Sequence, residues 1–221
     1  MRPPVSPTKL FVFIFILVML ILIIQIGIFT IVLDKLGLAP HSATLLLIVT
    51  LIGSGINLPL SEIDIPPDIE PHSNPFAPWL PLRQSFKPGK TIIAINVGGA
   101  MVPVLFSLYL ISITSLTIFQ ILLAIAVVTF ICYSVSRPVQ GLGIGMPIFI
   151  APFTAAITAI LVSPQNSAPL AYICGTMGVL IGADILRIKD IPKLGAPIAS
   201  IGGAGTFDGI FLTGIVAVLL A

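Results

Sequence analysis

Residues 10–33 read LFVFIFILVMLILIIQIGIFTIVL, an apolar run of 24 residues without a single charge. As a helix it is long enough to cross the roughly 30 Å hydrocarbon core of a bilayer. The run follows MRPPVSPTK, as a signal peptide's apolar core would. Yet it exceeds the roughly 7–15 residues of such a core, and no A-x-A cleavage site comes after it. It reads as a retained first helix. Composition agrees: 57% of the 221 residues are hydrophobic and 8% are charged, against about 25% charged in soluble domains. Mean hydropathy is +1.18. The solvent for most of this chain is lipid.

Working outward from that helix, further apolar stretches predict helices over about 42–60, 91–111, 116–135, 142–162, 168–186 and 207–221. The expected fold class is therefore an all-α polytopic membrane protein of about seven transmembrane helices, a single domain over 1–221. One long polar segment, 61–90, interrupts them. It carries Glu62, Asp64, Asp68, Glu70, Arg83, Lys87 and Lys90, with six prolines from Pro66 to Pro81. Such proline density excludes regular helix and predicts an extended loop, with Phe76, Trp79 and Leu80 suited to the membrane surface.

The distribution of basic residues orients this plan. With the N-terminus cytoplasmic, Arg2, Lys9, Arg83, Lys87, Lys90, Arg137, Arg187, Lys189 and Lys193 fall inside, and Lys35 alone falls outside. Nine of the ten basic residues thus lie on one side, as the positive-inside rule requires. Six or eight helices would scramble that separation. The Pro-rich loop and the connection between helices six and seven are then both cytoplasmic.

That connection carries the chemistry. GADILRIKDIPKLGAPIASIGGAGTFDGIF, 182–211, holds Asp184 near the end of helix six and Asp208 near the start of helix seven, at similar depth. Gly175, Gly178 and Gly182 line helix six at helical spacing and predict close approach of another helix. Asp184 projects nearly opposite Gly175. The glycines 202, 203 and 205 are too dense for stable helix, and irregular backbone at membrane depth needs protein or a watery cavity around it. Thr206 can cap helix seven and set Asp208 in its first turn. The helix dipole favours Asp208 as the anion and disfavours Asp184 as one. Two close carboxylates share one proton readily. The expected division has Asp208 as the base activating a water and Asp184 as the acid protonating a substrate carbonyl. The structural alternative is that Asp208 stabilises a helix start and Asp184 pairs with Arg187 one turn later.

Other residues carry less. Asn57 and Asn96 lie in glycine-containing breaks. They can bind a substrate backbone or a cation near the aspartates, although hydrogen bonding between helices is the commoner role of such asparagines. Gly141, Gly143 and Gly145 form a flexible stretch but lack the Lys of a phosphate loop and a strand before it. Cys132 and Cys174 read as small buried hydrophobes. His41 and His72 stand alone, and no metal-ligand spacing occurs. No metal or cofactor and no nucleic-acid partner is expected.

Several stretches occur together in order: GSGINLP (53–59), NVGGAMVP (96–103), RPVQGLGIGMP (137–147), GAD (182–184) and SIGGAGTFDGIFLTG (200–214). In this the chain resembles a family of prokaryotic multi-pass membrane proteins known only as a domain of unknown function. The resemblance spans nearly the whole chain and implies an integral protein of a prokaryotic plasma membrane, without an activity. Helices six and seven also resemble, in order and membrane sense, the presenilin and signal peptide peptidase group of intramembrane aspartyl proteases. That likeness implies a catalytic aspartate on each helix. Asp208 follows GTF where those proteases have GxG, helix six lacks their YD pair, and no PAL motif follows.

The functional expectation is an intramembrane aspartyl hydrolase acting on a membrane-protein or peptide substrate. Asp184 and Asp208 would form its dyad, with Gly202, Gly203, Gly205, Thr206, Asn96 and Asn57 around the substrate. The alternative is an ion- or proton-coupled transporter or channel using the broken helix. A third is a structural or assembly subunit docking through the Pro-rich loop.

Overall fold

The computed structural model of the chain describes residues 27–28, 30–66, 89–139, 143–196, 198–203 and 209–221. Most of the expected first helix and the body of the Pro-rich loop lie outside them. Helices dominate. In chain order they are α1 (30–35), α2 (Pro40–Ser54), α3 (Val102–Ile113), α4 (Ile118–Val135), α5 (Ile150–Val162), α6 (Ser167–Val179) and α7 (Gly209–Leu220). Wide π-type turns open α3 (Val97–Met101) and extend α6 (Leu180–Ile185), and a 3-10 turn covers Ile188–Leu194.

Local chemistry explains the helix starts. Pro40 occupies the first turn of α2, where its missing N–H costs nothing. Thr117 and Gln120 form a reciprocal capping box at α4, satisfying two N–H groups that a helix start leaves orphaned. Asn96 caps the turn into α3 through its side chain, which accepts the N–H of Gly99 at 2.7 Å.

Among the described residues, two helical stretches are long and apolar enough by themselves to cross a membrane, Ile118–Val135 and Pro164–Ile185. The first is 22% buried inside the protein and the second 67%, so α4 is peripheral and α6 is the hub. Small residues make that hub possible. A Cβ on Gly178 would come within 2.5 Å of the Val128 side chain, and one on Gly182 within 2.5 Å of the Thr129 carbonyl, so both glycines seat α4. Gly175 instead faces Ala155 of α5 and Thr213 of α7. The expected glycine stripe serves three neighbours.

The all-α expectation is corrected by two small sheets. The first has strand order β1 (Asn57–Asp64), β2 (Lys90–Asn96), β5 (Ile198–Ile201). β1 and β2 are antiparallel, with Asn57 opposite Asn96, while β2 and β5 are parallel, with Ile92 opposite Ile198. The second pairs β3 (Arg137–Val139) with β4 (Gly143–Gly145). The helix expected over 42–60 therefore stops at Ser54, and the one expected over 91–111 begins only after Asn96. The physical reason lies in Thr91, Ile92, Ile93 and Ile95: β-branched side chains fit a pleated surface, and Asn96 with Gly98 and Gly99 ends the strand ahead of α3. The helix expected over 142–162 likewise starts at Ile150, after β4. The first and last residues of the expected 61–90 loop belong to β1 and β2.

Hydrogen bonds order the two ends of the bundle. At one, Lys35 Nζ donates to the carbonyls of Val218 and Leu219, both at 3.3 Å, and the Ser167 hydroxyl donates to the Ala221 carbonyl. Asn166 reaches Ser115 there as well. At the other end, Arg187 binds the Tyr133 and Ser136 carbonyls at 2.8 Å, closing the C-terminus of α4. Its guanidinium also lies 4.4 Å from the Tyr133 ring centroid and pairs with Asp190 at 3.3 Å.

Candidate functional site at the strand–helix junction

Three chain breaks meet beside α6. The C-terminus of α2 turns at Ser54–Gly55 into β1, β2 runs through Asn96 into the π-type turn before α3, and β5 ends at Ile201 on Gly202. Asn96 is fully buried and holds the first two together. Its amide donates to the Ser54 carbonyl at 2.7 Å and to Asn57 Oδ1 at 3.1 Å, while its Oδ1 takes the Gly99 N–H. Asn57 Oδ1 also accepts the Ser200 hydroxyl of β5 at 2.5 Å. One amide pair thus ties α2, β1, β2 and β5 at a single point. Buried polar groups survive in such surroundings only when satisfied. The Asn96 amide donates to two protein acceptors, so Asn96 holds the junction together.

The backbones touch directly. A Cβ on Gly98 would collide with the Thr50 carbonyl and Ser54 N–H of α2, and one on Gly99 would collide with the Gly202 carbonyl. Gly202 and Gly203 have φ of +83° and +87°, a region glycine alone enters without strain. That reversal lets the Gly202 N–H reach Asp184, whose Oδ2 accepts it at 3.2 Å. Asp184 itself lies in the π-type turn that extends α6, a widened turn of the kind often found at functional sites.

Of the residues expected at a site, Asn57, Asn96, Asp184, Gly202 and Gly203 converge here. Asp208, Gly205 and Thr206 lie outside the described residues, with Asp208 directly preceding Gly209, the first residue of α7. The guanidinium of Arg187, the alternative partner considered for Asp184, is engaged by Asp190, Ser136 and Tyr133. Among the described residues no three His, Cys, Asp or Glu gather as metal ligands, and Cys132 and Cys174 are free thiols.

Gly98 and Gly99 stood beside Asn96 as glycines that permit close backbone approach, whereas Ser54 and Ser200 were missed as members of this junction. A signal for Ser200 exists in the sequence. NVGGA (96–100) and SIGGA (200–204) each follow a short run rich in β-branched or small residues, and both runs are strands lying parallel in one sheet.

The sequence pattern of DUF1614, described as a protein of unknown function, matches residues 51–220. No curated protein and no solved structure matches the chain.

Proposed function

The chain belongs to the DUF1614 family of unknown function, and we propose that it is a multi-pass protein of the prokaryotic plasma membrane that hydrolyses peptide bonds at Asp184 and Asp208. The polytopic reading is supported by the two ends of the bundle. Lys35 sits with the C-terminus of α7 at one end, and Arg187 closes α4 at the other, the separation that a seven-helix, positive-inside topology requires.

A single observation carries the hydrolytic reading. β5 is an edge strand among the described residues, with β2 on one side, and it ends on the glycine whose N–H is bound by Asp184. An extended peptide added to that edge would have its backbone fixed by main-chain hydrogen bonds and would run toward the aspartate. Substrate binding by strand addition suits a membrane interior, because it satisfies the peptide's N–H and C=O groups as helix is lost. Asp208, one residue before α7, takes the proton of a water whose oxygen adds to the scissile carbonyl carbon. Asp184 protonates the carbonyl oxygen. Collapse of the adduct breaks the C–N bond, with the proton passing to the leaving amine. No cofactor enters these steps.

Photoaffinity labelling tests this with an apolar peptide in which a secondary alcohol replaces the scissile amide, mimicking the tetrahedral adduct. Labelling should be lost in Asp184→Asn, in Asp208→Asn and in the double variant to the same degree, as in residues acting as one unit. Asn at 184 keeps an acceptor for the Gly202 N–H, so thermal stability should change by less than about 1 kcal/mol. Labelling that survives either substitution sinks the proposal.

A second reading has its own observation. The π-type turns at Val97–Met101 and Leu180–Ile185 form the start of α3 and the end of α6 beside the same junction, and helix ends inside a membrane protein offer carbonyls that bind ions in transporters. Under that reading the protein in liposomes would dissipate a proton or sodium gradient, and Asp184→Asn would stop it without any labelling by the peptide alcohol.

A further inference from the structure

A second feature lies at the Arg187 end of the bundle and shares no lining residue with the junction. Where α4 gives way to the β3–β4 hairpin and α5 begins, a groove of about 420 Å³ opens, lined by Ser134, Val135, Arg137, Gly145, Met146 and Ile150. That volume falls among ligand pockets of about 300–1,000 Å³. Its lining is divided by chemistry. Arg137 supplies hydrogen-bond donors, the Ser134 hydroxyl donates to the Phe130 carbonyl of its own helix, and Val135, Met146 and Ile150 supply apolar wall.

Arg137 is exposed and forms no ion pair among the described residues. Arg187 of the same chain is bound by Asp190, two carbonyls and an aromatic ring, so the contrast is between a guanidinium used by the fold and one left to solvent. β3 packs against the 3-10 turn Ile188–Leu194, which carries the exposed Lys189 as a second cation nearby. Beside the groove, Ile148 and Phe149 are 74% and 66% exposed, and Phe153 is 49% exposed. A cation next to a projecting apolar collar suits the boundary between acyl chains and headgroups.

We propose that this groove binds the phosphate of an anionic phospholipid, with Arg137 as the bidentate partner and an acyl chain laid along Ile150, Phe149 and Phe153. Arginine matches a phosphate through its planar fork, and basic pockets between helices at a membrane face hold anionic headgroups. The site shares no lining residue with the Asp184 junction and stands whichever activity that junction has.

The full chain in neutral detergent provides the test. Thermal unfolding is followed while phosphatidylglycerol, phosphatidylcholine or inorganic phosphate is added. Phosphatidylglycerol should raise the unfolding temperature and bind about fivefold more tightly than phosphatidylcholine, the factor one interfacial cation supplies. Arg137→Gln should unfold at the wild-type temperature without lipid and lose that preference, while Arg137→Lys retains part of it. Met146→Trp, which fills the groove and leaves the cation, should weaken both lipids together. Three results would overturn the proposal: an undiminished preference in Arg137→Gln, inorganic phosphate stabilising as well as phosphatidylglycerol does, or Met146→Trp binding like wild type. The second would show a free-phosphate site in which the acyl chain plays no part.

Discussion

The α4–α6 contact and the strand junction are both built on glycine, yet they use it differently. In the helix pair, Gly178 makes room for the side chain of Val128 while Gly182 lies against the Thr129 carbonyl, and each of these two packed helices can shift as a body. At the junction, glycine makes room for backbone: Gly98 for the Thr50 carbonyl and Ser54 N–H, Gly99 for the Gly202 carbonyl. Two helices packed through a side chain can part slightly to relieve crowding. A strand backbone cannot move without breaking its ladder. Tolerance to a methyl group should therefore differ sharply between two regions that look alike in sequence.

Gly99→Ala is the most damaging change expected, because its methyl falls on the Gly202 carbonyl. It should exceed about 4 kcal/mol, seen as loss of folded protein in detergent. Asn96→Ala comes next. It strands the Gly99 N–H and the Ser54 carbonyl, at about 3 kcal/mol by thermal or denaturant unfolding. Gly178→Ala should cost about 1–3 kcal/mol, because its methyl meets both Cβ and Cγ1 of Val128 and α4 must move slightly away from α6. Equal losses for Gly178→Ala and Gly99→Ala would void the distinction between side-chain and backbone contact.

The smallest effect lies at the outer end of the sheet. Lys90 pairs with Glu62 at 3.3 Å and Asp64 at 3.7 Å. Its hydrogen bond to Glu62, then the charges of Asp64 and Glu62, raise its pKa above lysine's ordinary 10.5. A raised pKa means that the folded state holds the proton more tightly. The contribution is complete below the unfolded-state pKa and fades as pH rises through the folded one. Lys90→Gln should thus unfold slightly below wild type at neutral pH, and the two melting curves should converge in alkali. A gap that widened with rising pH would contradict the pairing.

Much of this architecture was open to reading along the chain. The runs 116–135 and 168–186 stand out by apolar length, and the structure has helices at Ile118–Val135 and Ser167–Val179, the latter extended by its π-type turn. Asp184, Asn57, Asn96 and Gly202 stood out as polar or glycine residues in greasy surroundings, and they lie at one junction. Which of them touch was not readable. Apolar β-branched runs such as TIIAI suit a buried helix or a buried strand equally by composition. With so few charges, periodicity offered nothing to separate the two. The partition of Gly175, Gly178 and Gly182 among α4, α5 and α7 was hidden for a related reason: spacing marks small residues on a helix but does not say which neighbour each one faces.

The amino-acid sequence by itself determined the apolar character of this protein, the runs from which helices such as Ile118–Val135 are made, and the spacing of its few cations along the chain. Those properties are sums along the chain, and helical hydrogen bonds close within a few residues. Only the tertiary structure decided that 57–64, 90–96 and 198–201 are strands and that Asp184 meets Gly202. A strand is defined by partners distant in sequence, and the partner of Ile92 is Ile198. Neither is a strand until the helices between them have folded back and brought the two together.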